Sequence, residues 1–332
     1  MRSSIDVLIT FYNQAMYVDQ TLSSVLKQKG DFDLHILVGD DGSTDNTLAL
    51  IEEWQKKYPE VIQVYQMHRQ SDTYYVPGFR SSQNRLNLLK YVRSDYFIFL
   101  DGDDYFDRDE KLQQQLSILE KKENQDCAAC GHAIDAVFSN GDRRPYARLP
   151  DEERKYTLKE YWSSAYVHTD TILARSNIIH TLPYDKVENN FNDNLITFLV
   201  LQQGKLYYFP ATMAVYRQTG DGIWTGSTGV VKNLRNIFLY DLAISINPSL
   251  KSETRARFAY SWKTLFHNRQ NIHKADLLPY DKEAKDKGLE FSKYWVNFED
   301  LNNKERLKLY KEYLCVIINS YEYRLKRKIE QR

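Results

Sequence analysis

The chain has little of what marks several whole classes of protein. Its 332 residues hold three cysteines, Cys127, Cys130 and Cys315, too few and too oddly numbered for the disulfide framework of a secreted domain. Cys127-Ala128-Ala129-Cys130 spells Cys-x-x-Cys, but no second pair follows and it opens a strand-like segment rather than a helix. Buried small residues are expected there, not a zinc or redox centre. No segment reaches the roughly 18 consecutive apolar residues of a membrane span. The start, Met1-Arg2-Ser3-Ser4, runs straight into a strand pattern without the apolar stretch and cleavage site of a secretory leader, so an intracellular setting is expected. Neither charge is in excess, because 45 Lys and Arg balance 45 Asp and Glu. That balance removes the global electrostatic case for a nucleic-acid partner.

What is present begins with length and aromatics. A chain of this size can bury a large α/β core and still carry an appendage. Its 25 Tyr, 15 Phe and 5 Trp suit stacking on carbohydrate, although most such rings serve as core. The most informative segment is Asp101-Gly102-Asp103-Asp104, which directly follows the apolar run Tyr96-Phe97-Ile98-Phe99-Leu100. The run reads as a buried strand. Carboxylates crowded at its end repel one another unless a cation compensates, and hard oxygen ligands suit Mg²⁺ or Mn²⁺ carrying a diphosphate. An acidic turn capping the next helix is the structural alternative.

Two earlier segments share this form. Ile5 to Ile9 is a strand running into Thr10-Phe11-Tyr12-Asn13, and Leu34 to Val38 ends in Gly39-Asp40-Asp41-Gly42-Ser43-Thr44-Asp45. Helical spacing over 18–28 and 46–58, a strand over 61–66 and a helix over 80–92 complete a βαβ alternation. In such open sheets the carboxyl ends of parallel strands line one ligand crevice.

The three motifs, in this order, resemble the nucleotide-sugar-dependent glycosyltransferases of family 2, over about the first two thirds of the chain. The resemblance implies the GT-A fold, an α/β Rossmann-like, mostly parallel central sheet flanked by helices, and here a helical C-terminal appendage. It implies a UDP-sugar donor, and a glycan, glycoprotein or glycolipid acceptor receiving one sugar with inversion. Donor contacts carried over are Thr10, Phe11, Tyr12, Asn13, Asp40, Asp41, Asn84, Asp101, Gly102 and Asp103; Mn²⁺ or Mg²⁺ falls to Asp103 and Asp104. In the helix over 80–92, Arg80, Asn84 and Arg85 are the candidates to face the donor. Asn192-Asp193 stands where the family has Glu-Asp at a helix start, which makes Asp193 the catalytic base, with Glu188 as the lesser alternative. First-turn residues favoured by the helix dipole are the structural reading of the same pair.

Further along, Asp109 to Lys121 reads as a helix, Cys127 to Ser139 as a strand, and Asn140-Gly141-Asp142 as a hairpin-like turn. Tyr166 to Leu173 reads as extended, with His168 and Asp170 within reach of the site; a structural histidine is the plainer reading. Two short strands are expected over 205–209 and 213–216, followed by a glycine-rich loop in which Arg217 meets the diphosphate and Trp224 offers a stacking face. The catalytic domain is expected over residues 1–228, with a nucleotide-binding half at 1–104 and an acceptor half at 105–228, and a helical region over 229–332. There Leu307, Tyr310, Leu314, Ile317 and Tyr321 form a packing stripe, against the catalytic domain or in a homo-oligomer. The basic run Arg324-Leu325-Lys326-Arg327-Lys328 suits either a solvated helix end or contact with the inner face of the cell membrane. Two rival functions share parts of this pattern, a non-catalytic sugar-nucleotide-binding scaffold and a nucleotidyltransferase. The second needs a glycine-rich basic phosphate loop near the first strand, and Thr10-Phe11-Tyr12-Asn13-Gln14 offers none.

Overall fold

The computed structural model describes residues 2–70, 77–147, 149–220, 222, 226–268, 282 and 302–330. The chain forms two compact units, one of Met1–Tyr161 with Ala165–Gly220, the other of Trp162–Ser164 with Asp221–Arg332.

The first unit is built on one ten-stranded sheet. Its strands are β1 (Ser3–Phe11), β2 (Phe32–Asp40), β3 (Ile62–Gln66), β4 (Tyr96–Asp101), β5 (Tyr105–Phe106), β6 (Cys127–Phe138), β7 (Arg143–Pro145), β8 (Arg154–Tyr156), β9 (Leu173–Arg175) and β10 (Lys205–Gln218). They lie in the order β3-β2-β1-β4-β9-β6-β10-β5, with β7 on β6 and β8 on β10. The long pairings β3–β2–β1–β4 and β6–β10 are parallel, and the short strands β5, β7, β8 and β9 pair antiparallel. The helices along this part of the chain are α1 (Val18–Leu26), α2 (Thr47–Lys57), α3 (Pro77–Leu89), α4 (Lys111–Glu120), α5 (Leu158–Ser164, of which Trp162–Ser164 belong to the second unit), α6 (Tyr184–Val187) and α7 (Asp193–Val200). Strand β1 shows why the sheet is covered on both faces. Ile5, Val7, Leu8 and Ile9 are consecutive or alternate residues pointing to opposite sides, and all are fully buried. The one polar residue among them, Asp6, is satisfied by the Arg93 and Ser94 amides and the Ser94 hydroxyl.

The parallel register delivers the three motifs to one edge. Thr10 pairs with Gly39 on one side and Asp101 on the other, so the carboxyl ends of β1, β2 and β4 stand abreast. The Asn140-Gly141-Asp142 turn joins β6 to β7, with Gly141 in the left-handed region at φ 86°. Cys127 and Cys130 are buried and unpaired on β6, and burial pushes the Cys127 thiol up to about 11.

Three expectations change. The two strands over 205–209 and 213–216 are one strand, β10, which stays paired to β6 across register shifts between Phe209 and Thr212 and between Thr212 and Val215. Pro210 interrupts the pattern because it has no N–H to give a ladder, and bulges absorb such residues. Tyr166 to Leu173 is not extended throughout: a 3₁₀ turn, Thr169–Thr171, precedes β9, with His168 as its N-cap. The helical stripe is turned, as the second unit shows.

That unit consists of α8 (Gly229–Ile246), α9 (Lys251–His267) and α10 (Asn303–Glu330), with Trp162 set among them, its indole N–H donating to Thr254 Oγ1 at 2.8 Å. Helix α10 packs on α9 through Tyr310 and Tyr313, whose ring centroids lie 4.9 and 4.2 Å from that of Phe266. Leu307, Leu314 and Tyr321 are 56%, 53% and 71% exposed and face away. Of the expected stripe Tyr310 packs on Phe266, together with Tyr313, which the apolar spacing did not mark. Among the described residues, no helix is long and apolar enough to cross a membrane.

Candidate active site

The acidic turn after β4 is fixed by backbone demands. Gly102 donates to the Thr10 carbonyl at 3.0 Å, and a Cβ at Gly102 would lie 2.3 Å from the Phe11 ring, so only glycine lets the turn close over β1. Thr21 Oγ1 reaches the Gly102 and Asp104 carbonyls from α1. Phe11 is itself buried in the core at 1% exposure, and serves as the floor of this turn. Asn13 adopts the left-handed conformation at φ 51° and accepts the Thr44 N–H at 2.8 Å, tying the first motif to the second. Asp40 is wholly buried and satisfied within its own turn by the Gly42 and Ser43 amides and the Ser43 hydroxyl. Its role is to shape the loop.

Asp41 is held differently. One carboxylate oxygen meets Arg69 at 2.5 Å and the other pairs with Arg80, while the Arg69 guanidinium lies 3.8 Å from the centroid of the Tyr12 ring. Tyr12 is 41% exposed. These residues form a wall with a flat ring and a neutralised carboxylate.

Helix α3 presents Arg85, not Asn84, to the carboxylates. Asn84 is turned under β2, its amide donating to the Gly39 carbonyl at 3.0 Å. Arg85 bridges Asp101 at 2.6 Å and Asp193 at 2.9 Å. Asp193 opens α7, where the Asn192 side chain caps the helix by accepting the Leu195 N–H, so Asn in place of the family's Glu keeps a working cap. Burial pulls the Asp193 pKa upward, but Arg85 and then His168 outweigh it and hold the carboxyl below its ordinary value. Glu188, the alternative base, is exposed at the end of α6.

Behind the acidic turn lies a second group. Asp104, His168 and Asp170 are buried, and one ligand atom from each lies within 4.8 Å of the others. Asp104 Oδ1 accepts the Arg217 backbone N–H at 2.6 Å, whereas Asp104 Oδ2 and both Asp170 oxygens are buried without a hydrogen-bond partner. Burial pushes both acids up; Asp170 adds to the rise at Asp104, whereas at Asp170 burial outweighs the opposing pull of His168. Such a pair requires a shared proton or a cation. Asp103 is half-buried at the rim; burial first, then Asp101, pushes its carboxyl up to about 7. The Arg217 side chain lies across this turn, bonded to the Asp103 carbonyl and Gln20, and stacked with its guanidinium 4.9 and 4.5 Å from the Tyr17 and Tyr105 centroids. Trp224 lies outside the described residues.

The structure thus gathers Thr10, Asp101, Asp103, Asp104, Asp193 and Arg217 at one sheet edge and turns Asn84 beneath it. Arg80 and Arg85 were candidates in the sequence, but three arrangements were not read there: the Arg69–Arg80 clamp on Asp41, the bridging of Asp101 and Asp193 by Arg85, and a group of tyrosines around His168. The Arg85 bridge had a signal, one residue along from Asn84; the tyrosines had none among 25.

Sheet order and acidic edge define a GT-A α/β fold. The chain belongs to glycosyl transferase family 2, whose model matches residues 6–182. An uncharacterized protein of Mycobacterium tuberculosis is 24% identical over 215 residues, 64% of this chain and 58% of that protein. The chain therefore spans little more than half the length of that relative. A dTDP-rhamnosyl transferase of Shigella flexneri is 33% identical over 161 residues, 46% of this chain and 49% of that one. Among solved structures, residues 1–349 of Staphylococcus aureus TarS in complex with UDP-GlcNAc superpose with a TM-score of 0.61 at 18% identity, covering 97% of this chain and 92% of that one. That likeness shows the fold.

Proposed function

We propose that this protein is a metal-dependent glycosyltransferase that moves one sugar from a nucleotide-diphosphate donor, UDP-linked, to a hydroxyl of a glycan, glycoprotein or glycolipid, with inversion. The observation that carries the reading is the Arg85 bridge, which sets a base candidate, Asp193, beside the acidic turn that would face a departing diphosphate. A single displacement needs both in one place. Thr10, Tyr12 and Asp41 form the wall for base and ribose, with Phe11, Asn13 and Asp40 holding its turns. Arg217 supplies positive charge at the diphosphate. Asp193 accepts the acceptor's proton; its low pKa keeps it ionised and ready to do so.

The carboxylates fit a divalent ion, because buried oxygens without partners beside an imidazole are hard and borderline donors of the kind Mn²⁺ takes. Asp103 at the rim and Asp104, which belongs to that buried group with His168 and Asp170, would hold it. When bound, the ion neutralises charge on the diphosphate leaving group. Residues 1–104 serve the nucleotide and 105–228 the acceptor, and the exposed Arg324, Lys326 and Lys328 at the end of α10 support contact with the inner face of the membrane.

Incubation with UDP-, dTDP- and GDP-sugars, with and without EDTA, tests the reading. Slow metal-dependent release of the nucleoside diphosphate is expected. Release of pyrophosphate would indicate a nucleotidyltransferase, and nucleotide binding without release would indicate a scaffold.

A further inference from the structure

We propose that Tyr146, Tyr166 and Tyr216 form a box that holds a neutral sugar ring beside Asp193, an inference that rests on the transferase reading for the origin of that sugar. The three residues come from distant stretches of the first unit. Tyr146 follows β7, Tyr166 precedes the 3₁₀ turn and Tyr216 lies near the end of β10. They converge on His168, whose ring centroid lies 4.8 Å from that of Tyr216, 5.7 Å from Tyr146 and 6.2 Å from Tyr166; Tyr146 and Tyr216 meet edge-on at 4.9 Å. His168 is fixed in turn by the Asp170 N–H, which donates to Nδ1 at 3.4 Å.

A purely structural cluster of phenols would look different. Tyr161, a core tyrosine, is fully buried and its hydroxyl accepts the Val167 N–H at 3.1 Å, as buried hydroxyls should. Tyr146, Tyr166 and Tyr216 are only half-buried. Among the described residues, none of their hydroxyls has a protein partner. The 3₁₀ turn that His168 caps packs against α7, which Asp193 opens, and after burial the Asp193 carboxylate contributes to raising the pKa of all three. The box therefore offers apolar ring faces and neutral hydroxyls next to the base, the combination that suits the C–H faces and hydroxyls of a pyranose.

The sugar can be the one transferred or the one accepting, and two arms separate these sources. The Tyr146→Phe/Tyr216→Phe variant keeps both rings and removes two hydroxyls, and a thermal melt verifies that it folds. In the donor arm, affinities for UDP-, dTDP- and GDP-hexoses are compared with those for the free nucleotides, with Mn²⁺ present. In the acceptor arm, saturation-transfer NMR follows methyl glycosides of glucose, galactose, rhamnose and N-acetylglucosamine with UDP and Mn²⁺ bound. Nucleotide affinity should change by less than about twofold, while one arm loses roughly tenfold for the two hydrogen bonds removed. A loss of preference for sugar nucleotide over nucleotide assigns the box to the transferred sugar, and a loss confined to methyl glycosides assigns it to the acceptor. Wild-type behaviour of the variant in both arms overturns the proposal. A wild type that binds no nucleotide defeats the transferase reading instead, and the box then stands or falls on the glycoside arm.

Discussion

Replacing Arg85 by Gln should unbalance the site in a way that can be measured as stability against pH. Arg85 is the cation between Asp101 and Asp193, and its side chain is 8% exposed against 29% and 30% for the two carboxylates. Removing one partner of a buried pair costs about 3–5 kcal/mol, and the partial exposure of both acids argues for the lower end, about 3 kcal/mol. In the wild type, Arg85 and His168 hold the Asp193 pKa below 3.8 despite burial, so this carboxylate stabilises the fold above that value and loses its contribution as pH falls through the folded pKa. In the variant burial prevails, the folded pKa rises above the unfolded one, and the native state prefers a neutral acid. The stability gap between the two proteins should be widest above the variant's raised folded pKa and narrow as pH falls through it. Urea denaturation at several pH values reads the gap, and an Asp193→Asn background isolates the pair. The reasoning fails if the gap is flat with pH, or if Arg85→Gln costs as much when residue 193 is already Asn.

Asp103→Ala should weaken UDP binding only when Mn²⁺ or Mg²⁺ is present, because the carboxylate acts through the ion; identical metal-dependent affinity in calorimetry would remove the assignment. Lys111 is fully buried, donates to Gln115 at 2.8 Å, and burial lowers its pKa from 10.5 to about 7 despite the opposing pull of Asp170. Between those values only the unfolded chain binds its proton, so stability should rise with pH by up to about 1.4 kcal/mol per unit, and Lys111→Met should abolish that slope in denaturation curves. Leu314→Asp alters an outward-facing side chain and should leave the melting temperature nearly unchanged, within about 0.5 kcal/mol; a change in light scattering alone would locate a self-association face on α10.

Much of this was legible in the sequence because the sheet declares itself. Short apolar runs ending in Thr10-Phe11-Tyr12-Asn13, Asp40-Asp41-Gly42-Ser43 and Asp101-Gly102-Asp103-Asp104 fix strand type and strand end together, and parallel pairing brings such ends side by side. What could not be read depends on long-range geometry. Whether residue 84 or 85 faces the crevice is a rotation of about 100° on α3, smaller than the uncertainty of a helix boundary read from pattern. The Arg69–Asp41–Arg80 clamp joins residues 28 and 39 positions from Asp41, and nothing local pairs them. On α10 the apolar residues run nearly all round the helix, so spacing could not tell the Tyr313 face, packed on Phe266, from the exposed Leu314 face.

The measurement that bears most directly on the central claim is nucleotide release from the productive sugar nucleotide by Asp193→Asn, made beside nucleotide affinity. Asn keeps the size of the side chain but cannot take a proton, so release should fall by about 10²-fold to 10⁴-fold. Nucleotide affinity should stay within about twofold, since other residues handle the base, ribose and diphosphate. Glu188→Gln, on an exposed residue, should release nucleotide at the wild-type rate. Unimpaired release by Asp193→Asn, or a comparable loss in Glu188→Gln alone, would contradict the account and move the base away from the Arg85 bridge.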